Sequence, residues 1–174
     1  KQANEIGDKY GIGYSLMGIG IVYKEKGDYD KSLDYYERSL TIHEEIGGKY
    51  GIGQSLHNIG VVYKEKGDYD KSLDYYNRSL KLREEIGNQS GKRLCLNSIA
   101  AIYYYKDDHD KALDYFNRSL KISEKIEAKQ AIGSSLVGIG VVYLEKGDCD
   151  KALEYLNRTL KIFEELGDKQ GIAA

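Results

Sequence analysis

The chain has 174 residues, 31% of them charged and 41% hydrophobic, and a formal net charge of -2 from 26 basic and 28 acidic side chains. That balance suits a soluble folded protein and gives no basic surface for nucleic acid. No apolar run reaches the length of a membrane span, and the first residues carry no signal-peptide pattern. The two cysteines, Cys95 and Cys149, sit at unrelated positions. A disulfide framework is therefore not expected, and a reducing, cytoplasmic setting is.

The chain repeats itself. YKEKGDYDKSLDYY, residues 23 to 36, returns letter for letter at residues 63 to 76, forty positions on. YYYKDDHDKALDYF (103 to 116) and YLEKGDCDKALEYL (143 to 156) are its diverged third and fourth copies. A fixed period of this length is the mark of stacked supersecondary units. The units run about 8–47, 48–87, 88–127 and 128–167, in a single array. Residues 1–7 and 168–174 read as remnants of flanking repeats, because Asn4-Glu5-Ile6-Gly7 matches Glu44-Glu45-Ile46-Gly47 and Gly167 to Ala173 matches the start of a first helix.

In the first unit, Gly13, Leu16, Gly20 and Tyr23 fall on one helical stripe. The glycines weaken helix propensity, so a helix that keeps them needs a neighbour at close range. Gly27 then ends the helix and Asp28 caps the next. Repeat three carries Asp107 in that glycine position, a residue that tolerates the left-handed region. The second helix presents Leu33, Tyr36, Leu40, Ile42 and Ile46 as its apolar side, with Tyr29 and Ser32 near the packing side. Asp34/Arg38 and its counterparts Asp74/Arg78, Asp114/Arg118 and Glu154/Arg158 read as surface pairs four residues apart. Helices are expected at about 9–25, 29–46, 49–65, 69–86, 89–105, 109–126, 129–145 and 149–166. Each hairpin hides its apolar sides only by stacking on the next. The small residues at Gly20/Gly60/Ala100/Gly140, Ser32/Ser72/Ala112/Ala152 and Ser39/Ser79/Ser119/Thr159 mark the closest approaches.

These residues resemble the tetratricopeptide repeat. Leu16, Ile19-Gly20, Tyr23, Gly27, Ser32, Tyr36 and Ser39 fall on its signature, as do their counterparts in the other three copies, with leucine at the usual tryptophan position and no final proline. The unit looks like the 40-residue variety found in cell-polarity adaptors and in bacterial sensor and regulatory proteins. The resemblance implies an all-α fold, a right-handed α-α superhelix of stacked antiparallel helix pairs, and a protein–protein interaction role.

A catalytic or metal-binding reading finds no support. His43, His57 and His109 are not spaced with either cysteine as metal ligands, and Gly11-x-Gly13 lacks the strand that a phosphate loop needs. No catalytic residue, metal site or cofactor is expected, and the chain reads as non-enzymatic. In the family, first helices line a concave groove. The stripe opposite the packing side is then the candidate ligand groove: Tyr14, Met17, Ile21 and Lys24; Gln54, His57, Asn58, Val61 and Lys64; Leu94, Asn97, Ala101 and Tyr104; Val137, Val141 and Leu144. A peptide or protein segment suits it. The cell-polarity adaptors carry asparagine just after the signature glycine, whereas Ile21, Val61, Ala101 and Val141 stand here, so their ligand is not carried over. The alternative is a spacer or self-association element of a larger sensor or scaffold. Weak end-to-end association is expected through Leu16, Ile19 and Tyr23 at one end and Leu153, Leu156, Leu160 and Ile162 at the other.

Overall fold

The computed structural model describes the backbone of residues 2–167 and the side chains of residues 8–167. Eight helices follow one another: α1 (Gln2–Glu25), α2 (Tyr29–Glu45), α3 (Lys49–Glu65), α4 (Tyr69–Glu85), α5 (Gln89–Tyr105), α6 (His109–Lys125), α7 (Lys129–Glu145) and α8 (Cys149–Leu166). No strand occurs among the described residues. The chain divides into two compact units, Lys1–Asn88 and Gln89–Ala174, each holding two helix pairs. Residues 2–7 contribute backbone to the start of α1, which begins earlier than its periodicity predicts, and residues 1 and 168–174 lie outside the described residues.

The joints explain the helix boundaries. Gly27, Gly67 and Gly147 have φ near +75°, and Asp107 takes their place at φ 58°. The carboxylate of the following aspartate (Asp28, Asp68, Asp108, Asp148) accepts from the backbone N–H three residues on, at 3.2–3.3 Å. A lysine at the same distance along the chain pairs with that carboxylate and holds it below its usual pKa, the side-chain hydrogen bond being the main cause. Between pairs, Gly47 and Gly87 turn through the same left-handed region, as Gly167 does after α8, and Glu127 does so with a side chain, at φ 54°.

Within a pair, the glycine stripe of the first helix receives a ring. A methyl group added at Gly20 would lie 2.7 Å from Tyr36, and one at Gly60 2.7 Å from Tyr76. Both tyrosines are 1% exposed. Serines close the same contacts: Ser32 Oγ donates to Gly20 O at 2.8 Å, Ser72 Oγ to Gly60 O at 2.8 Å, and Ser79 Oγ to Gly53 O at 2.7 Å. Ser39 Oγ, donating to Gly13 O at 2.8 Å, also meets Ser55 Oγ at 3.1 Å. One hydroxyl thus joins α1, α2 and α3. In the second unit Ser135 donates to Ser119 at 3.2 Å, and Ser119 donates to Arg93 O at 3.2 Å. Buried hydroxyls are satisfied by helix carbonyls that still have a free lone pair.

The apolar cores fill the spaces between pairs. In the first unit, Met17, Tyr36, Ile59 and Val62 cluster; in the second, Ala100, Ala112, Phe116, Leu120, Leu136, Ile139 and Val142 do. Ala100 carries a methyl where the other copies have glycine. Phe116 instead fits over Gly138 of the next pair, where a methyl would lie 2.5 Å from the ring.

A second size match recurs near the other end of each pair. Gly13 faces His43, Gly53 faces Arg83 and Gly133 faces Phe163. In the third copy the sizes are reversed: Arg93 is on the first helix and Ser123 on the second.

Outside the core, each repeat builds the same stack. Tyr23–Tyr35, Tyr63–Tyr75, Tyr103–Tyr115 and Tyr143–Tyr155 lie face to face with centroids 5.4–5.6 Å apart. A lysine (Lys31, Lys71, Lys111, Lys151) covers one ring and an arginine (Arg38, Arg78, Arg118, Arg158) the other. The predicted surface pairs form at Asp34/Arg38, Asp74/Arg78 and Asp114/Arg118. In the fourth copy Arg158 reaches Glu124 instead, at 3.8 Å. Two end-patch expectations are corrected. Leu16 is buried and Tyr23 is stacked on Tyr35, so of the three residues expected at this end Ile19 alone is exposed, together with Ile12 and Val22 on α1. Ile162 is half-buried against the second core, leaving Leu153, Leu156 and Leu160 exposed on α8.

Gly60→Ala is expected to lose about 1–3 kcal/mol of stability by overpacking against Tyr76, while Glu65→Ala changes little. Equal denaturant midpoints for the two would contradict the packing described. Glu127→Gly should gain about 1 kcal/mol by relieving a side chain in the left-handed region, read as a raised midpoint in urea.

Candidate functional site

In the first unit, Tyr14 and Ile21 are exposed at 40% and 44%. The Tyr14 ring stands edge-on to His43 at 4.9 Å, and burial, helped by Tyr50 and Tyr10, pushes its hydroxyl pKa up. Gln54, Asn58 and Val61 are half-buried. Lys24 and Lys64, also half-buried, pair with their neighbours Glu25 and Glu65. Two of the stripe residues do not face solvent. Met17 belongs to the core cluster with Ile59 and Val62, and His57 is buried against the Tyr76 ring at 5.0 Å. Their helical phase is right for the stripe, but α3 of the neighbouring pair covers Met17, and Tyr76 on the partner helix α4 packs on His57.

In the second unit, Leu94, Val137 and Leu144 are exposed, and Asn97, Ala101, Tyr104 and Val141 are half-buried. The Tyr104 ring meets Tyr105 at 5.6 Å and His109 at 6.3 Å. Its hydroxyl pKa is raised, by burial first and by Glu145 next. Both units bring shielded carboxamide oxygens to the stripe: Gln54 Oε1 and Asn97 Oδ1 are buried and receive no hydrogen bond. Such oxygens are costly to leave unmade and are satisfied by an incoming donor.

Two buried histidines carry the titration behaviour. His57 is pushed down to about 3 from the ordinary 6.5, by burial first and by Arg83 and Lys64 next. His43 is fully buried, with neither ring nitrogen hydrogen-bonded, and burial lowers its pKa too. It lies between Gly13 on α1 and Gly48 and Gly51 around the start of α3.

No group of three or more metal-ligating side chains forms among the described residues. Cys95 is buried and Cys149 exposed, and neither forms a disulfide. No helix there is long and apolar enough to cross a membrane. A cleft of about 600 Å³ in the second unit is lined by Arg93, the α6–α7 joint, the start of α7 and Leu166. Sequence reasoning missed it; its signal was the arginine at a repeat-glycine position.

The family model for the tetratricopeptide repeat matches residues 12–85 and 93–165. The chain belongs to the tetratricopeptide repeat family. Its fold class is all-α, the solenoid architecture of that family. No curated protein matches the sequence. Among solved structures, aspartyl phosphate phosphatase F from Bacillus subtilis is similar at TM-score 0.89 and 15% identity, covering 94% of this chain and 43% of that one. A Rap protein complexed with competence and sporulation factor aligns at TM-score 0.84 and 20% identity, covering 97% and 46%. A signal transduction ATPase with numerous domains and a tetratricopeptide repeat sensor, from Pyrococcus horikoshii, aligns at 0.84 and 18%, covering 94% and 26%. The chain therefore spans less than half of each of these three proteins.

Because His57 stays neutral when folded, the unfolded chain takes up the extra proton as pH falls below 6.5. Stability should then fall with pH between about 6.5 and 3, by up to about 1.4 kcal/mol per pH unit from this residue. His57→Leu should flatten that decline, measured as urea midpoints from pH 7 to pH 4.

Proposed function

We propose that the chain is a non-catalytic binding module whose first-helix faces receive an extended or helical segment of a partner protein. The observation that carries this reading is that Leu94, Val137 and Leu144 are exposed on the first-helix stripe that also holds the unsatisfied Asn97 oxygen, as Ile21 is on the stripe that holds Gln54 in the first unit. Large apolar side chains left in water on a face that also carries an unmet acceptor suit a segment bringing both apolar side chains and backbone N–H groups. The family generally serves protein–protein interaction, and one structural neighbour was solved with a factor bound. The phosphatase name of another neighbour describes that protein, at 15% identity.

Selection of peptides on the 174-residue chain from a random displayed library tests it. Selected peptides should weaken at least tenfold against Leu144→Glu or Ile21→Glu, and stay unchanged against Leu153→Glu on α8. Equal loss with all three would reject the first-helix face.

A second reading, self-association, rests on a different observation. Ile19 and Val22 are exposed on α1, while their equivalents Ile59 and Val62 are 0% exposed in the α2–α3 contact. Leu156 and Leu160 on α8 are likewise open where Phe116 and Leu120 are covered. The two faces are complementary halves of an interface the chain already makes internally, and such heterologous contact need not close. Sedimentation over a hundredfold concentration range should show a rising mean mass that Ile19→Glu abolishes; a single monomeric species throughout rejects it.

A further inference from the structure

The first two copies end their first helices on Lys-Glu, and the last two do not. Lys24 and Lys64 stand in the last turns of α1 and α3 and pair with Glu25 and Glu65 at 2.6 and 2.8 Å. The same two positions hold Tyr104-Tyr105 at the end of α5 and Leu144-Glu145 at the end of α7, and neither of those last turns contains a basic residue. A helix C-terminus carries partial negative charge and favours a cation beside it. In the second unit both first helices lack one.

What stands there instead suits a cation from outside. The Tyr104 ring packs against the core of the second unit and meets Tyr105 at 5.6 Å and His109 at 6.3 Å. Its hydroxyl feels the carboxylates of Glu145, at the end of α7, and Asp107, in the turn after α5. Both carboxylates are exposed, and neither forms an ion pair among the described residues. The nearby lysines are committed elsewhere: Lys146 to Asp110 and Lys111 to Asp108, both at 2.6 Å, while Lys106 also has a partner. The tyrosine stacks of this unit carry the chain's own cations, Lys111 and Arg118 over one and Lys151 and Arg158 over the other. No lysine or arginine covers Tyr104 among the described residues. An aromatic ring beside a carboxylate attracts an organic cation through both its quadrupole and its charge. Leu144, 53% exposed, offers apolar surface to the methylene stem of such a group.

We infer that the ends of α5 and α7 form a subsite for a basic side chain of a bound segment, with Glu145 and Tyr104 receiving its charge. The source of the cation rests on the binding reading; the charge recognition itself does not use the rest of the groove.

The test uses the whole chain and probes too short to fill a groove. The probes are acetylated, amidated alanine–arginine–alanine and alanine–lysine–alanine, their glutamine counterpart, and magnesium chloride, all at constant pH and ionic strength. The Tyr104 ring signals and the Glu145 backbone amide are followed by NMR. Saturable shifts with either basic peptide, absent with the glutamine peptide, are the expected result. Glu145→Gln should weaken them about threefold or more, the scale of one exposed charge contact. Leu144→Lys, which restores the Lys-Glu ending of the first two copies, should do the same by supplying the cation from within. Glu65→Gln in the first unit should leave them unchanged. Absence of saturation, equal response to the glutamine peptide, tighter saturation by magnesium, or unchanged affinity in Glu145→Gln or Leu144→Lys overturns the inference, as does an equal loss in Glu65→Gln. Both altered side chains are exposed, so both variants should melt within about 4 °C of the parent. A larger fall in Glu145→Gln would make the carboxylate a structural group and also overturn it. Library peptides that respond equally to all three groove variants, with these shifts intact, reject the groove reading alone. Groove-dependent library peptides with no tripeptide shifts reject the subsite alone.

Discussion

The structure depends on how closely a glycine lets a ring approach a helix backbone. At Gly20 and Gly60 a tyrosine lies where a methyl group would be, and a serine from the same second helix donates to the glycine's own carbonyl. Dispersion and hydrogen bonding act at one point. The close approach sets the spacing within each pair, and from it follow the burial of Tyr36 and Tyr76 and the geometry of the stacked tyrosines outside. Where the third copy has Ala100, the ring moves its contact to Gly138 on the next pair. There the close approach of ring to glycine falls between two pairs rather than within one.

The helix pattern was nearly all readable from the sequence, for a local reason. Each joint within a pair is a left-handed residue followed by an aspartate cap, visible as Gly-Asp in three of the four copies. The observed second helices end within one residue of expectation. Asp107 worked as a glycine substitute for the same reason. The role of the serines was less apparent. They read as small residues, yet Ser32 and Ser39 are donors. The signal lay in the third small position, which keeps a hydroxyl in all four copies. Even there the fourth departs: Thr159 turns its hydroxyl to Tyr155 O on its own helix.

The candidate groove was readable in phase but not in exposure. Met17 and Ile21 share one helical face, and only the latter is in water. What decides between them is a neighbouring pair, and a single repeat read alone does not contain that pair. Ile19 shows the converse, open on α1 although every later copy of it is sealed. The Arg93 cleft was hidden for another reason. It arises from a departure between copies, and attention to what copies share passes over it.

Repetition brings a hazard of its own. Where residues 23–36 and 63–76 are identical, a folding chain has two equally good segments for every first helix to recruit, and mispaired repeats are a common trap for such arrays. The third copy departs from this equivalence. His43, Arg83 and Phe163 all face a glycine, whereas Ser123 stands in register with Arg93, so another second helix docked on α5 meets a collision and α6 docked on another first helix leaves a void. Arg93 opposite a large ring would be the most severe. The Arg93/Ser123 pair acts as a key for the third repeat, at a position where the copies disagree.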